Sequence, residues 1–372
     1  MNEMAITSSE NVLICIPSYT HGGSEIHSLY TAKALQRKGG VKVFFLAFGR
    51  VDTFQNKLKE EGFETIYFPI SNFLNLTIFL KIVTLFRLIM VLRKFKFAAI
   101  FSGTEQCNLL MGLVWRFVGA NNFFWHQWGI DNRTSFGLWE KLAIKFKPTY
   151  IANSIACSQN IAKRHQLDVS TINVIHNTFN EKLLEIKIAN HTDELKIAMV
   201  ANFFEEKDHI TVIESVRLFV NKHLDSKIKV YFVGRSNGGR LMKNAKALAF
   251  DLNLNKHIEF LGLVEDVADF LSGMDVGLLS TKSEGLSNSL IEYMAVGLPV
   301  IATDIVQNRE ALGPGNKFFE VGNSQQLVDL FKEFYFGRDT LKVIGNTNRA
   351  YAKQHFSNEE YNQKILNLIN KK

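Results

Sequence analysis

The sequence predicts an α/β protein of two Rossmann-like, doubly wound domains facing a central cleft. Three observations predict it: a length of 372 residues, an alternation of short β-branched or aromatic runs with longer amphipathic stretches, and a restart of that alternation halfway along. Such a length suits two cores at ~100–200 residues each. With 47% hydrophobic and 21% charged residues, the chain has ordinary globular composition, which excludes disorder.

In the first half, strand-like runs fall at 12–17, 41–47, 65–68, 98–102, 121–126, 150–153 and 171–175. Helical patterns such as 25–38 and 75–94 lie between them, so βαβ units and a mostly parallel sheet are expected. The rhythm resumes with a strand at 195–201, a helix at 208–223, a strand at 228–233 and a helix at 239–252. Further segments follow at 257–261, 264–271, 276–279, 288–295 and 300–303. This predicts domains at 1–176 and 177–356, a seam near 177–195, and a packing helix at 357–372. Ligands of such sheets bind beyond the carboxyl ends of strands, so the loops there carry the candidate chemistry.

Cys15, Cys107 and Cys157 are odd in number, scattered and without metal-ligand spacing, which fits a reduced, cytoplasmic compartment. The polar start, with no basic stretch before the short apolar run at 12–16, does not read as a signal peptide. Charge is uneven. Through His176 there are 19 Lys and Arg against 11 Asp and Glu; the remainder is close to neutral. An anionic partner is implied, and no nucleic-acid motif accompanies the charge.

Membrane association is the better reading, because the basic half contains the apolar, Phe-rich segment 73–101. No acidic residue stands between Glu64 and Glu105. Lys81 and Arg87 interrupt the run, which argues against a membrane span. Two compatible readings remain: a helix buried on one side against a sheet, and a helix whose basic and aromatic face touches anionic lipid on the inner face of the cytoplasmic membrane.

The densest local signal lies between Leu278 and Ala302. A buried strand at 276–279 runs into a loop, 280–285, and a helix opens near Ser287 or Asn288. Backbone amides near Leu286–Ser289 would point out of that helix start, a seat for phosphate oxygens beside Gly285. Glu284 precedes the helix and Glu292 lies about a turn inside it. Carboxylates so placed can accept hydroxyl hydrogen bonds from a sugar and from a ribose. A structural reading, with Ser287 or Asn288 as a plain cap and Glu292 as an exposed helix residue, stands beside it.

Glu284-(seven residues)-Glu292, followed by Ala295-Val296-Gly297-Leu298-Pro299, resembles the E-x7-E donor motif of retaining glycosyltransferases of family 4. Phe260-Leu261-Gly262, Asp275-Val276 and Glu310 match that family's pattern in order. The resemblance implies the GT-B fold, a nucleotide-diphosphate sugar donor, retention of anomeric configuration and no obligatory metal. It also implies that Lys207 contacts the donor phosphates, usually with an Arg five residues earlier; here that position is Asn202. An amide can hydrogen-bond phosphate but cannot neutralise it. Arg235 is the candidate replacement, and Val264 a further donor contact. Gly22-Gly23 resembles the family's Gly-Gly-x-Glu loop, which the resemblance implies faces the donor across the cleft. His126, closing the strand near 121–126, is placed near the reacting sugar, with Trp125, Trp128 and Asp131 as candidates for an acceptor pocket.

The catalytic candidates are thus Glu284, His126 and Lys207. The expected reaction moves a hexose or N-acetylhexosamine from a donor such as a UDP-sugar to a glycan, carried on a polyprenyl diphosphate, in bacterial surface polysaccharide synthesis. A sugar-nucleotide epimerase of the same fold and a non-catalytic lipid- or partner-binding relative remain open alternatives, the latter because of Asn202.

Overall fold

The computed structural model describes residues 10–20, 22–130, 137–189, 192–236 and 239–370. The chain divides into two compact units, Met1–Asn177 with Glu359–Lys372, and Thr178–Asn358.

The first unit is built on a seven-stranded, all-parallel sheet. Its strands are β1 (Asn11–Ile16), β2 (Lys42–Ala47), β3 (Glu64–Tyr67), β4 (Phe97–Ser102), β5 (Asn122–Gln127), β6 (Thr149–Ala152) and β7 (Asn173–Val174), in the order β3-β2-β1-β4-β5-β6-β7. The order reverses between β1 and β4, the switch point at which doubly wound sheets collect ligands. Both faces of β1 and β4 are buried, so these strands read as continuous apolar runs rather than alternating ones. Helices α1 (Gly23–Gln36), α2 (Phe54–Glu60), α3 (Ile78–Leu92), α4 (Glu105–Val118), α5 (Leu138–Lys145) and α6 (Ile155–His165) connect them.

The second unit holds a six-stranded parallel sheet: β8 (Leu195–Val200), β9 (Ile228–Val233), β10 (Ile258–Gly262), β11 (Val276–Leu279), β12 (Val300–Thr303) and β13 (Lys317–Phe319), in the order β10-β9-β8-β11-β12-β13. Its helices are α7 (His209–Lys222), α8 (Arg240–Asp251), α9 (Val267–Ser272), α10 (Asn288–Val296), α11 (Val306–Ala311), α12 (Ser324–Phe336) and α13 (Leu341–His355). A close approach fixes the join of β11 to α10. A Cβ on Gly277 would fall 2.3 Å from the Tyr293 ring, so only glycine admits Tyr293, whose hydroxyl accepts the Val200 N–H at 2.6 Å.

The last helix, α14 (Asn358–Asn370), packs with the first unit. Tyr361, Ile365 and Ile369 join the core over β1 and β2, and the Tyr361 hydroxyl lies 2.7 Å from Thr31 Oγ1. Segment 73–101 resolves into a short 3-10 turn (Phe73–Asn75), then α3, then β4. Among the described residues no helix is long and apolar enough to cross a membrane.

Candidate functional site

In the second unit, two loops that leave adjacent strand ends are tied together. Residues 201–208 follow β8 and residues 280–287 follow β11. The Asp208 N–H donates to Ser280 O at 3.0 Å, and the Lys282 N–H to Glu206 O at 2.8 Å. Thr281 Oγ1 donates to Glu206 O at 3.1 Å, and Lys207 and Thr281 form an antiparallel bridge. From β12, Thr303 Oγ1 donates to Thr281 O at 2.8 Å. The Thr303–Thr281 bond is buried, so its loss would leave polar groups unsatisfied there.

The consequence is an ion pair between Lys207 Nζ and Glu284 Oε1, with side chains only 16% and 14% exposed. The structure thus joins the two residues that the sequence assigned separately to phosphate and sugar. Burial pushes the Lys207 ammonium down to about 8, with the Glu206 carboxylate pulling the other way.

Helix α10 opens beside this pair. Ser287 occupies the N-cap position with extended backbone, yet its side chain makes no capping bond. Its Oγ meets Ser289 Oγ at 3.0 Å instead. The plain-cap reading of Ser287 is therefore not what the structure shows. Gly285, Leu286 and Ser287 are buried, and Asn288 half-buried. Within the first turn and a half, Glu292 presents a carboxyl with no hydrogen-bond partner among the described residues. Burial raises it to about 7.

Asn202 takes a role the sequence did not suggest. Its Oδ1 accepts the Arg235 backbone N–H at 2.8 Å, holding the loop that leaves β9. Gly234 allows this close approach. Its φ is +156°, and a Cβ there would fall 2.2 Å from Ala201 O. Arg235, so held, has a buried Nε without a hydrogen-bond partner and forms no ion pair among the described residues. Val264 sits half-buried just after β10.

Sequence reasoning missed His209, the first residue of α7. Its ring stacks on Phe203 at 3.9 Å and its Nδ1 lies 3.2 Å from Lys207 O, bracing the loop that carries Lys207. Burial pushes it down to about 4, and its Nε2 is buried without a partner. The only signal in the sequence was its place two residues after Lys207.

In the first unit, His126 lies in β5 near its carboxyl end, buried, with Nε2 unpartnered. Its ring stacks on Trp128 at 3.9 Å, and Trp128 in turn lies 5.1 Å from the His27 ring of α1. Burial, and then His27, push His126 down to about 3, so it is a neutral imidazole at physiological pH. Gly22 is the N-cap of α1, and Gly23 its first residue. A Cβ on Gly22 would fall 2.4 Å from Glu25 Oε2, so the glycine makes room for a buried carboxylate folded back over the helix start. Trp125 points to the opposite face of the sheet, into the core formed with α4 and α6. Asp131 lies outside the described residues.

Two family models match the chain in succession: Glycosyltransferase Family 4 over residues 21–182 and Glycosyl transferases group 1 over residues 181–351. The fold matches that of the Anabaena protein Alr3699/HepE, crystallised with UDP and glucose, with a TM-score of 0.81 at 16% identity, covering 97% of this chain and 99% of that one. With its two parallel α/β units matched in turn by the two glycosyltransferase family models, the chain has the GT-B fold.

Among named relatives, it is 22% identical over 318 residues to the capsular polysaccharide biosynthesis glycosyltransferase CapM of Staphylococcus aureus, covering 80% of this chain and 82% of CapM. It is 25% identical over 192 residues to the lipopolysaccharide core biosynthesis glycosyltransferase LpsE of Rhizobium meliloti, covering 49% of this chain and 52% of LpsE. The match spans about half the length of several such relatives, from 41% to 55%.

Proposed function

We propose that this chain transfers a hexose or N-acetylhexosamine from a UDP-sugar, with retention of configuration and no obligatory metal, to a lipid-linked glycan in bacterial surface polysaccharide synthesis. The observation that carries the reading is the Lys207–Glu284 pair, fixed by tied loops at the carboxyl ends of β8 and β11 beside an uncapped helix start. The names of CapM and LpsE support a place in surface polysaccharide synthesis, and the UDP bound to HepE supports the donor.

In this reading the diphosphate is held by Lys207, Arg235 and the start of α10, with the Asn202 amide N–H groups turned toward it. Glu292 accepts the ribose hydroxyls, and Glu284 the hydroxyls of the sugar. In the first unit, the neutral His126 imidazole is suited to a hydrogen bond with a sugar hydroxyl. The acceptor oxygen forms its bond to the anomeric carbon on the face from which the diphosphate departs. The acceptor's proton goes to the leaving phosphate oxygen, so no separate general base is required. Cations and helix N–H groups stabilise the charge that develops on that oxygen.

The test is a thermal-shift screen of nucleotide sugars, followed by analysis of products in the presence of EDTA. UDP and one UDP-sugar are expected to stabilise the protein, and Arg235→Ala to weaken UDP binding by about 10-fold or more, the scale of a lost charge-assisted hydrogen bond. A donor recovered as its epimer without transfer, or no nucleotide stabilisation at all, would overturn the reading.

Membrane association rests on α3. Ile78, Phe79, Ile82, Phe86 and Met90 are exposed and fall within about 120° of arc at 100° per residue. The buried Lys81, Leu88 and Leu92 occupy a different face, so the outer stripe is not what packs the helix onto its unit. Arg87, Arg93 and Lys94 flank it. An apolar stripe with basic flanks suits an anionic bilayer surface. Wild-type protein is expected to co-sediment with phosphatidylglycerol vesicles at low salt, and the double variant Phe79→Ser, Phe86→Ser to lose most of that binding. Equal sedimentation of the two would dismiss the stripe as the anchor.

A further inference from the structure

The carboxyl ends of β4 and β5 border a cavity of about 230 Å³ on the α4 side of the first sheet, the face opposite His126. Doubly wound sheets take ligands at such strand ends. The volume lies below the ~300–1,000 Å³ of sites that enclose a drug-sized molecule, so it suits a single ring.

Charge on the wall is already matched. Glu140 is held by Arg164 at 2.7 Å and lies 2.9 Å from His165. An anion would have to displace Glu140 from Arg164, and a cation would have to displace Arg164 from Glu140. Glu105, at the exposed rim, adds no positive charge. The cavity therefore favours a neutral ligand.

The uncharged lining consists of pinned amides and aromatic rings. Asn72 Oδ1 accepts the Leu74 N–H at 3.1 Å. Gln106 and Gln127 donate their amide N–H groups to Ser71 O and Gly129 O, at 3.3 and 2.6 Å. These bonds fix the side chains, leaving an N–H group on Asn72 and a carbonyl oxygen on each glutamine for a ligand. Phe73 and Trp139 meet edge to face at 5.9 Å and supply apolar wall.

Trp125 supplies the decisive observation. It lines the cavity, is 4% exposed, and its Nε1 is buried without a hydrogen-bond partner. The far end of its benzo ring packs against Gly112 of α4, where a Cβ would fall 3.4 Å from Cζ3. That leaves the N–H edge, at the other end of the indole, to border the cavity beside Gln127, which shares its face of β5. A buried donor left unmet is costly, and a ligand hydroxyl would satisfy it. Fixed donors and acceptors around aromatic rings match a pyranose, whose hydroxyls both donate and accept and whose C–H groups lie against rings.

We propose that this cavity binds one neutral pyranose. The proposal rests on the reading that the chain extends a glycan, for which it supplies a second sugar subsite. Trp125 and His126 point to opposite faces of β5, so a sugar held here is not the one beside His126.

Tryptophan emission reads the site, because Trp125 and Trp139 line it. The probes are the methyl glycosides of glucose, galactose, mannose and N-acetylglucosamine, titrated into the full chain. Cyclohexanol and glucose 1-phosphate are separate arms. At least one glycoside is expected to change the emission saturably in the millimolar range, more tightly than cyclohexanol and at least as tightly as glucose 1-phosphate. Trp125→Phe keeps a ring but removes the N–H, and Gln106→Ala removes an acceptor at the half-exposed edge. Each is expected to weaken binding by about threefold to tenfold, the range of a neutral hydrogen bond. His126→Ala is expected to leave it unchanged.

No saturable response to any glycoside, or equal binding by wild type and both lining variants, would overturn the proposal. Cyclohexanol binding as tightly would mark an apolar hole, and tighter binding of glucose 1-phosphate an anion site; either would overturn it too. So would loss of glycoside binding in His126→Ala, or competition by UDP, since each would put the sugar elsewhere. UDP-induced thermal stabilisation, measured on the same samples, is expected to be unchanged in Trp125→Phe and Gln106→Ala. Its absence in wild type would count against the donor reading, while the glycoside result would stand.

Discussion

Glu284→Gln is expected to lower the rate of sugar transfer by about 10²–10³-fold, the range seen when one preorganised group at a developing charge is removed, while UDP affinity falls only a few fold. The split follows from where the carboxylate stands. It lies in the loop after β11 and is held there by the ion pair and the tied loops. UDP lacks the transferred sugar, so its affinity should sense Glu284 only through Lys207.

The variant should also change the pH profile. Burial already brings Lys207 down to about 8, and without its carboxylate partner the amine loses its proton more readily still. A lysine is charged below its pKa, so the residual activity of Glu284→Gln should rise as the pH is lowered from about 8.5 toward 6.5. Steady-state rates at a series of pH values, with UDP binding by calorimetry, check both parts. A variant with wild-type rates would remove Glu284 from the mechanism. One that lost UDP binding and transfer together would make it only the keeper of Lys207.

How much of this was legible in the sequence differs by range. The strands of both sheets could be placed to within a residue or two where they are long and buried, as for β1, β2 and β8, because an apolar run between turn residues has few other meanings. The expected strand at 171–175 is only the two-residue β7, preceded by a 3-10 turn at Val169–Thr171 whose start is capped by Asp168. The three-residue β13 was too short to stand out at all.

The donor-side candidates were legible because loop and helix are contiguous, so Glu284, Ser287 and Glu292 share one local segment. Pairings across the sequence were not. Lys207 with Glu284, Asn202 with Arg235, and Tyr361 with Thr31 each depend on which strand ends or helix faces the topology brings together. Asn202 is the instructive case. Read alone, it was a cation lost from the phosphate site. In the fold it is the residue that holds the backbone of a second cation in place. At Gly22, likewise, only the fold shows that the glycine makes room for the Glu25 carboxylate.

Glu292→Gln is expected to move stability and nucleotide affinity in opposite directions. Burial raises the folded-state carboxyl from 4.5 to about 7. Between those values the folded protein holds a proton that the unfolded chain has released, so stability is greatest below the unfolded pKa and falls as the pH rises through about 7. At pH 8 the ionised carboxylate, with no hydrogen-bond partner among the described residues, costs roughly 1–3 kcal/mol, since a tenfold change in acidity is worth ~1.4 kcal/mol. Glutamine has no charge to desolvate. The variant should melt a few degrees higher at pH 8 and at the same temperature as wild type near pH 4.5.

Nucleotide affinity should respond with the other sign. If ribose hydroxyls donate to Glu292, they favour its ionised form, so binding releases a proton and UDP affinity rises with pH up to about 7. Glutamine can still accept a hydrogen bond, but a weaker one, and its affinity should be flat across that range and lower by about tenfold at pH 8. Calorimetry in two buffers of different ionisation enthalpy reads the proton directly. A glutamate present only as a helix residue would show the stability gain alone. Loss of affinity without any stability gain would mean that the carboxyl is not desolvated in the free protein, and that the pH dependence has another source.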